Sequence, residues 1–258
     1  MAVRILISPA KRMETDTDSL PWRDLPAFLP EAEQLLARLR EHTDRELQAL
    51  WRCNDAIAAQ NISRVRTMDL RRSRTPALLS YRGIQYQYMA PGVFSDGEWD
   101  YVQAHLRILS GFYGLLRPLD GVVPYRLEMQ ARLAGPDWKD LYGFWGKKLA
   151  QALAAETEVV VDLASREYSR AVLPGLPPGV RVVTCVLGRL QAGRVAERGT
   201  ACKMARGEMV RWMAEHRITD TEALASFDRL GYRFDPARSG PARYVFLQEE
   251  GGGTDGAF

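Results

Sequence analysis

The stretch VRILISPAK, residues 3–11, indicates the fold class at the start of the chain. Residues 3–7 form a short, mostly apolar run of strand-forming residues, which predicts a buried strand. Pro9 restricts the residue before it and cannot donate to a strand ladder, so the strand ends near Ser8. Lys11 then lies in the loop at the strand's carboxyl end, where α/β proteins commonly hold their sites.

Strand and helix patterns alternate along the rest of the chain, which is typical of an α/β domain. A helix is predicted over residues 30–51, and a second buried strand over residues 158–163 turns at Ala164-Ser165 into a short helix. Two further helices are predicted from capping boxes: one runs from Ser95-x-x-Glu98 to about residue 109, and one is opened by Thr219-x-x-Glu222. Helices are also predicted over 138–155 and 201–216. The remaining predictions are a strand over 81–89, a hairpin of 180–187 and 190–196 around Gly188, and closing strands over 232–235 and 242–248.

Composition sets limits on the class of protein. The 258 residues carry a net charge of +3, with 46% hydrophobic and 26% charged residues, as in an ordinary soluble protein. No apolar run could cross a bilayer and no signal-peptide pattern opens the chain, so a cytoplasmic location without membrane contact is predicted. The three widely spaced cysteines predict reduced thiols, and the histidine and cysteine spacings argue against a zinc or di-iron site. A metal site built from carboxylates alone is left open by these spacings, but no sequence feature supports one. No metal site and no cofactor are therefore predicted.

Residues 109–129, LSGFYGLLRPLDGVVPYRLEM, have the composition of a functional loop. Their glycines and prolines hold the backbone in a particular path. Arg117, Tyr125, Arg126 and Glu128 supply guanidinium donors, a hydroxyl and a carboxylate, which suit recognition of a planar or anionic ligand. The alternative is a salt-bridged Ω-loop with no ligand.

Two features are compatible with binding to DNA. A window of eleven residues contains five arginines and one acid, which would suit contact with phosphates, although a solvated basic face is the alternative. Residues 109–114, preceded by a predicted helix, loosely resemble the loop of a helix-hairpin-helix motif, with a glycine spacing one residue too long. The arginines of the window are Arg64, Arg66, Arg71, Arg72 and Arg74.

Four ordered blocks resemble one known family: ILISPAK at 5–11, the 109–129 segment, DLASREY at 162–168 and KMARGEM at 203–209. They are similar to the YaaA family of bacterial peroxide-stress-resistance proteins, and the likeness extends through YGFWG at 142–146 and FDRLGYRFD at 227–235. The resemblance implies a cytoplasmic protein that limits free intracellular iron during hydrogen peroxide stress and binds double-stranded DNA. It departs from many members at Arg12-Met13 and at Ile84.

Fold and domain predictions follow from the alternating elements and from this resemblance. We expect an α/β fold of the YaaA type, a single compact domain over residues 1–248 in which a mixed central sheet is flanked by helices. Residues 249–258, which contain three consecutive glycines, are expected to form a disordered tail.

The resemblance also implies a set of site residues. We take Lys11, Asp162 and Lys203 as candidate catalytic residues. The residues predicted to bind a ligand are Ser8, Tyr113, Arg117, Tyr125, Arg126, Glu128, Ser165, Glu167 and Arg206.

These residues permit two classes of function. One is a DNA-binding stress protein that limits iron and oxidative damage to DNA. The other is an enzyme acting on a small anionic or nucleobase-like ligand in a polar pocket around Lys11, Arg126 and Asp162, where a buried lysine would act as a base or an imine-forming amine. A lysine paired with Asp162 only to hold the fold is the structural alternative, and the standard motifs Gly-x-Ser-x-Gly and Gly-x-x-x-x-Gly-Lys are absent.

Overall fold

The structure, a computed structural model, describes residues 3–16, 18–72 and 74–249. None of the helices in these ranges is long and apolar enough to cross a membrane. The strands are β1 (Arg4–Ile7), β2 (Arg12–Met13), β3 (Thr75–Pro76), β4 (Tyr81–Arg82), β5 (Leu106–Ser110), β6 (Gly114–Leu116), β7 (Gly121–Val122), β8 (Val159–Asp162), β9 (Arg181–Gln191), β10 (Arg194–Ala196), β11 (Tyr232–Phe234) and β12 (Arg243–Gln248).

The helices flank the strands. They are α1 (Leu29–Arg40), α2 (Asp44–Trp51), α3 (Asp55–Thr67), α4 (Ala77–Ser80), α5 (Ile84–Met89), α6 (Asp96–His105), α7 (Leu141–Trp145), α8 (Lys148–Ala154), α9 (Arg166–Ser169) and α10 (Gly199–Glu215). Short 3₁₀ turns cover Pro91–Val93, Leu173–Gly175, Glu222–Ser226, Arg229–Gly231 and Pro236–Arg238.

The main sheet has the strand order β11-β12-β9-β8-β1-β5-β6, with β10 paired to β9. β1 lies between β5 and β8 and is parallel to both, so Ile5 stands opposite Leu106 on one side and Val161 on the other. β8, β9 and β12 continue the parallel pairing, whereas β6, β10 and β11 are antiparallel to their neighbours. The predicted mixed central sheet flanked by helices is confirmed.

Burial explains why the first and second predicted strands were recognisable. Ile5, Leu6 and Ile7 of β1 are all completely buried, because both faces of this central strand are covered. Val160 and Val161 of β8 are equally buried. These side chains belong to one hydrophobic cluster that extends from Val3 to Phe246, so the sheet and its helices share a single core.

The predicted helix over residues 30–51 is instead two helices, α1 and α2. Thr43 begins α2 with a capping box, in which its hydroxyl accepts from the Glu46 amide and the Glu46 carboxylate accepts from the Thr43 amide. The predicted helix over 138–155 is also divided, because Gly146 adopts a φ of 49° between α7 and α8.

The predicted strand over residues 81–89 is wrong: only Tyr81–Arg82 is extended, and α5 follows. The aromatic and polar residues alternate as in a strand, but Gln85 and Met89 are buried four residues apart, as on one face of a helix. That face packs against α10, which lies more than a hundred residues later in the chain.

The capping box at Ser95 is confirmed, but its helix ends at His105 and not near residue 109. Residues 106–110 form β5, an entirely buried strand beside β1. His105 is the last residue of α6, and its ring Nδ1 lies 2.9 Å from the carbonyl oxygen of Val3, next to β1.

The C-terminal third matches the prediction in part. The helix over 201–216 and the two closing strands are confirmed as α10, β11 and β12. The hairpin turns at Ala192-Gly193, where both residues have positive φ, and Gly188 lies inside β9. Thr219 forms no capping box, because the following segment is only a 3₁₀ turn without a side-chain cap.

Of the predicted disordered tail, residues 249–258, only Glu249 is described. Its amide donates to the Gly231 carbonyl at 3.1 Å. The prediction for residues 250–258 therefore lies outside the described part of the chain.

Candidate functional site

A cleft of about 530 Å³ lies where β1 and β8 end. Because these strands are parallel neighbours, their carboxyl ends meet at one edge of the sheet, and the loops that follow them face the same space. α5 and α10 supply the opposite wall. The cleft is lined by Ser8, Pro9, Ala10, Lys11, Arg12, Arg82, Gly83, Ile84, Gln85, Tyr86, Glu128, Ser165, Glu167, Tyr168, Lys203 and Arg206.

The two strand-end loops are hydrogen-bonded to each other. The Ser165 amide donates to Ser8 Oγ at 2.7 Å, and Ser8 Oγ lies 3.2 Å from Ser165 Oγ. The hydroxyl of Tyr86 donates to the Ser8 carbonyl at 3.0 Å and connects α5 to the same loop. These bonds fix the base of the cleft.

Glu128 accepts from two cations. Lys11 Nζ lies 2.9 Å from Glu128 Oε2, and Arg126 Nη2 lies 3.1 Å from Glu128 Oε1. The Lys11 side chain is 65% exposed, so it is not the buried lysine of the enzyme hypothesis. Arg126 does not line the cleft and acts on it through Glu128.

Asp162 lies behind the cleft and does not line it. Its carboxylate is 3% exposed and accepts from the Ala164 amide at 3.0 Å and from Ser169 Oγ at 2.8 and 2.9 Å. Burial raises the pKa of this carboxyl, against those hydrogen bonds. Asp162 thereby shapes the loop that presents Ser165. Its carboxylate does not line the cleft with Lys11, and it does not form an ion pair with Lys11 either.

Four buried side-chain nitrogens have no hydrogen-bond partner within the described ranges: Trp51 Nε1, Gln85 Nε2, Arg126 Nε and Arg206 Nε. Leaving such a donor unsatisfied costs about 1–3 kcal/mol, so each needs an explanation. Gln85 and Arg206 both line the cleft, and Gln85 is only 7% exposed. The wall formed by α5 and α10 therefore contains two buried donors that no group in the described ranges satisfies.

Gln85 was missed in the sequence analysis, which placed it on a predicted strand. The signal that would have identified Gln85 is its helical spacing with Met89, four residues later, in the stretch that follows Gly83. That spacing is meaningful only once α10 is known to cover the same face.

The cleft is basic. Five cationic side chains line it against the two carboxylates of Glu128 and Glu167, and two of them, Arg12 and Arg82, also pair with Glu14, at 2.6 and 3.0 Å. The Arg206 side chain is 13% exposed and pairs with Glu197 at 3.1 Å, whereas Lys203 is exposed and has no carboxylate partner among the described residues. Such a charge balance favours an anionic ligand.

Glu167 is the cleft residue best suited to proton transfer. Burial raises its pKa and the nearby Glu128 adds to the effect, although the Gln130 amide, which donates at 3.2 Å, opposes it. A carboxyl with a raised pKa at the edge of a cleft is a common feature of general acids and bases.

The two predicted ligand-binding tyrosines lie in the core. Tyr125 OH is 2.8 Å from Tyr81 OH and 2.6 Å from Ser110 Oγ, and Tyr113 OH accepts from the Val123 amide at 3.2 Å. Burial raises the pKa of Tyr125 to about 12. Neither tyrosine lines the cleft.

The likeness of residues 109–114 to a helix-hairpin-helix loop is not realised. These residues form the end of β5, a tight turn and the start of β6, and all of them are buried. The Phe112 and Tyr113 amides donate to Ser110 Oγ at 3.1 and 2.8 Å, so they are not available to phosphates.

Arg117 lies at the other edge of the sheet, near the amino ends of the parallel strands. It lines a hollow of about 260 Å³ together with Arg107, Asp120 and Glu156. Arg117 Nη2 is 3.8 Å from Glu156 Oε1, and Arg107 Nη2 is 2.6 Å from Glu156 Oε2. Arg117 is therefore separated from the predicted ligand-binding residues of the cleft.

Asp120 in this hollow predicts a pH-dependent stability. Burial raises its pKa to about 7. The native state thus holds a proton that the unfolded chain releases near pH 4, so this group's stabilisation is complete below about pH 4 and is lost as the pH rises through about 7. The unfolding free energy of the wild-type protein should therefore decrease between about pH 4 and pH 7. In Asp120→Asn the slope of this decrease should be smaller by up to about 1.4 kcal/mol per pH unit.

Chemical unfolding at several pH values between 4 and 8 measures this slope. Asp100→Asn, at an exposed carboxylate, serves as the control and should keep the wild-type slope. An Asp120→Asn variant with the wild-type slope would show that Asp120 titrates normally.

The arginines of the basic window are held by protein acceptors. Arg66 Nη2 pairs with Asp44 at 3.0 Å, Arg71 Nη2 with Glu33 at 2.9 Å and Arg72 Nε with Asp69 at 3.4 Å. The guanidinium of Arg64 donates to the Met13 carbonyl at 3.2 Å, and that of Arg74 lies 4.0 Å from the centre of the Trp22 ring. These partners weaken the case for the window as a phosphate-binding surface.

The two buried thiols are not activated. Cys185 and Cys202 are buried, and burial raises the pKa of the Cys185 thiol and raises that of Cys202 to about 12. A thiol with so high a pKa is a poor nucleophile. Within the described residues, no group of three or more histidine, cysteine or acidic side chains is placed to hold a metal ion.

The fold and the site together define an α/β protein with a basic cleft at the carboxyl ends of two parallel strands. A family described as "Peroxide stress protein YaaA" matches residues 3–238. A UPF0246 protein of Lachnoclostridium phytofermentans is 48% identical over 248 residues, which cover 96% of this chain and 97% of the relative. One from Lactiplantibacillus plantarum is 48% identical over 247 residues, which cover 96% and 100%. The chain belongs to the YaaA family of peroxide stress proteins.

Proposed function

We propose that this peroxide-stress protein binds a phosphate-bearing, nucleotide-like group in the cleft, and that this group belongs to double-stranded DNA. The observation that carries the proposal is a pair of donors, Gln85 Nε2 and Arg206 Nε, that have no partner among the described residues and belong to the wall of a basic cleft. Phosphate and base oxygens are acceptors, and a guanidinium is well suited to phosphate.

The cationic side chains at the mouth of the cleft are exposed, which supports a ligand that extends beyond the cleft. The side chains of Lys11 and Arg12 are 65% and 78% exposed, and Lys203 is exposed on the facing helix α10. Exposed cations can reach a nucleic-acid backbone, while the donors of the wall contact the group that enters the cleft. A protein that covers DNA in a cytoplasm exposed to peroxide would shield that DNA from free iron and from the damage that iron causes; a role in limiting free intracellular iron forms part of the proposal.

An enzyme acting on a small anionic or nucleobase-like ligand is the second candidate. It is favoured by Glu167, whose raised pKa suits the transfer of a proton to or from a ligand in the same cleft. Under this alternative, Lys203 and Arg206 would bind the anion, and Glu167 would be the reacting group.

Replacing Arg206 tests the proposal. In Arg206→Gln, affinity for a fluorescein-labelled DNA duplex with a one-nucleotide bulge, and for thymidine 5′-monophosphate, should fall by about tenfold or more, because a charge-assisted hydrogen bond is lost. Fluorescence anisotropy at two salt concentrations measures the first affinity and calorimetry the second. Binding of DNA should weaken as salt rises.

Two controls separate the cleft from other basic surfaces. Arg211→Gln changes an arginine on the same helix that pairs with Glu215 at 2.9 Å and does not line the cleft, so it should preserve affinity. The double variant Arg71→Gln/Arg72→Gln should do the same. Loss of DNA binding in that double variant, but not in Arg206→Gln, would assign DNA to the basic window and contradict the proposal.

Absence of binding by the wild-type protein to both probes would reject the proposal outright. Chromatography of the nucleotide after incubation distinguishes the second candidate, because an enzyme would leave a new product. A product formed by the wild-type protein and lost in Glu167→Gln would favour the enzyme.

A further inference from the structure

A second hollow of about 330 Å³ adjoins the cleft. It shares Lys11 and Glu128 with the cleft and is otherwise bordered by the end of α2 and by residues 130–132. The Lys11–Glu128 ion pair, 2.9 Å between Nζ and Oε2, thus stands between the two spaces. A ligand that extends past this pair would enter both.

Trp51 gives the second hollow an unsatisfied donor of its own. This side chain lines the hollow, is 4% exposed, and its indole nitrogen is one of the four buried nitrogens without a partner. An indole N–H can only donate, so it suits an acceptor such as a phosphate oxygen or a base carbonyl. All four nitrogens belong to residues that line the two spaces or, in the case of Arg126, bind the shared Glu128.

The second hollow is also basic. Lys11, Arg52 and Arg132 line it against the single carboxylate of Glu128. Arg52 and Arg132 are exposed, and neither has a carboxylate partner among residues 3–16, 18–72 and 74–249. Arg52 ends α2 with a φ of 47°, a conformation that costs a residue other than glycine some strain and sets the direction of the chain beside the hollow.

We infer that this hollow is a second anion subsite, and that the ligand carries two linked phosphate groups, one bound on each side of the Lys11–Glu128 pair. The inference rests on the proposed function and specifies its ligand as at least two adjacent nucleotides of one strand. Arg52 and Arg132 would bind the second phosphate, while Trp51 would donate to an oxygen of the same nucleotide. Both a DNA strand and a free dinucleotide have this chemistry.

Calorimetric titration with thymidine 5′-monophosphate and with the 5′-phosphorylated dinucleotide pTpT tests the inference. The wild-type protein should bind pTpT about tenfold more tightly than the mononucleotide, because a second set of charge-assisted hydrogen bonds forms. In Arg52→Gln/Arg132→Gln that gain should be lost, while affinity for the mononucleotide stays within about twofold of the wild type.

Two further variants make the result specific. Trp51→Phe keeps an aromatic ring but removes the N–H, and should reduce the pTpT gain without changing mononucleotide binding. Arg45→Gln removes an exposed arginine of α2 that does not line the hollow, and should keep the full gain. Circular dichroism of each variant shows whether it is folded.

The outcomes separate this inference from the proposed function. Equal affinities of the wild-type protein for the two probes, or a gain that survives in the double arginine variant, would reject the second subsite and leave the cleft in place. A gain that is lost equally in Arg45→Gln would also reject it, as an effect of net charge alone. Failure of the wild-type protein to bind thymidine 5′-monophosphate, pTpT and the bulged duplex alike would reject the proposed function itself. Competition of pTpT with single-stranded and duplex DNA then shows which source of linked phosphates is preferred.

Discussion

Replacing Trp145 with alanine is expected to lower the free energy of unfolding by about 3–5 kcal/mol, the largest effect of any single change considered. Trp145 is completely buried, and its indole N–H donates to the Gly111 carbonyl at 3.0 Å. Its ring packs edge-on against Phe28 and Phe144, with ring centres 5.5 and 5.0 Å away. Alanine would leave a cavity and an unpaired buried carbonyl.

Chemical unfolding followed by circular dichroism measures this loss. Trp145→Phe is the matched variant, because it fills most of the space but cannot donate to Gly111, so its loss should be smaller. A loss below about 1.5 kcal/mol in Trp145→Ala would mean that the surrounding residues collapse onto the site, contrary to the rigid packing expected of this core.

Gly207→Ala is expected to have the second largest effect and to act on the cleft as well. A Cβ at this position of α10 would lie 2.0 Å from the Gln85 carbonyl oxygen and 3.0 Å from the Met89 nitrogen. Both are backbone atoms of α5, so the two helices must separate. We expect a loss of about 1–3 kcal/mol in unfolding free energy, although alanine is otherwise the better helix former.

The same substitution should weaken binding of the nucleotide probes, because α5 carries Gln85 into the cleft wall. Gly199→Ala is the control on the same helix: apart from the adjacent residues and the helix's own backbone, no described atom lies within 4 Å of its added Cβ, so stability should be unchanged or slightly increased. If Gly207→Ala is as stable as Gly199→Ala and binds the mononucleotide normally, the close contact between α5 and α10 is not needed for either property.

The parts of the fold that the sequence predicted are those with a local signal. β1 and β8 are continuous apolar runs because both of their faces are buried, and the capping box at Ser95 is complete within four residues. The stretch 81–89 was predicted wrongly because its period reflects contact with α10, which is remote in the chain. The helix from Ser95 was predicted too long because β5 follows it directly, without an intervening loop.

Only two features of the sequence predicted residues of the candidate site: the ends of the predicted strands and the blocks that resemble the family. Ser8, Lys11 and Ser165 follow neighbouring parallel strands, so their place at one edge of the sheet could be expected from the topology. The interior hydrogen bonds of Asp162 and Tyr125 could not be expected, because a polar side chain gives no local sign that its partners, such as Ser169 and Tyr81, lie in the interior.

The basic window shows the same limit for charge. The arginine count in the sequence predicts a basic window. Two of the carboxylates that neutralise it come from outside the window: Glu33 pairs with Arg71, and Asp44 pairs with Arg66. Net charge along the sequence is therefore a poor guide to free charge on the surface. In the cleft, Lys203 has no carboxylate partner and Arg206 Nε has no acceptor in the part of the chain that the structure describes.

The hydrogen bond between Ser8 and Ser165 also has a consequence for how the protein is made. The two serines are 157 residues apart, and Arg206 joins them from still further along the chain. The ribosome delivers residue 8 long before residue 206, so the growing chain cannot assemble the cleft until about four-fifths of its length has been synthesised. Contacts of such long sequence separation also slow folding. A newly made copy can therefore complete the cleft only after α10 has been synthesised, and any truncation before α10 removes one wall of the cleft.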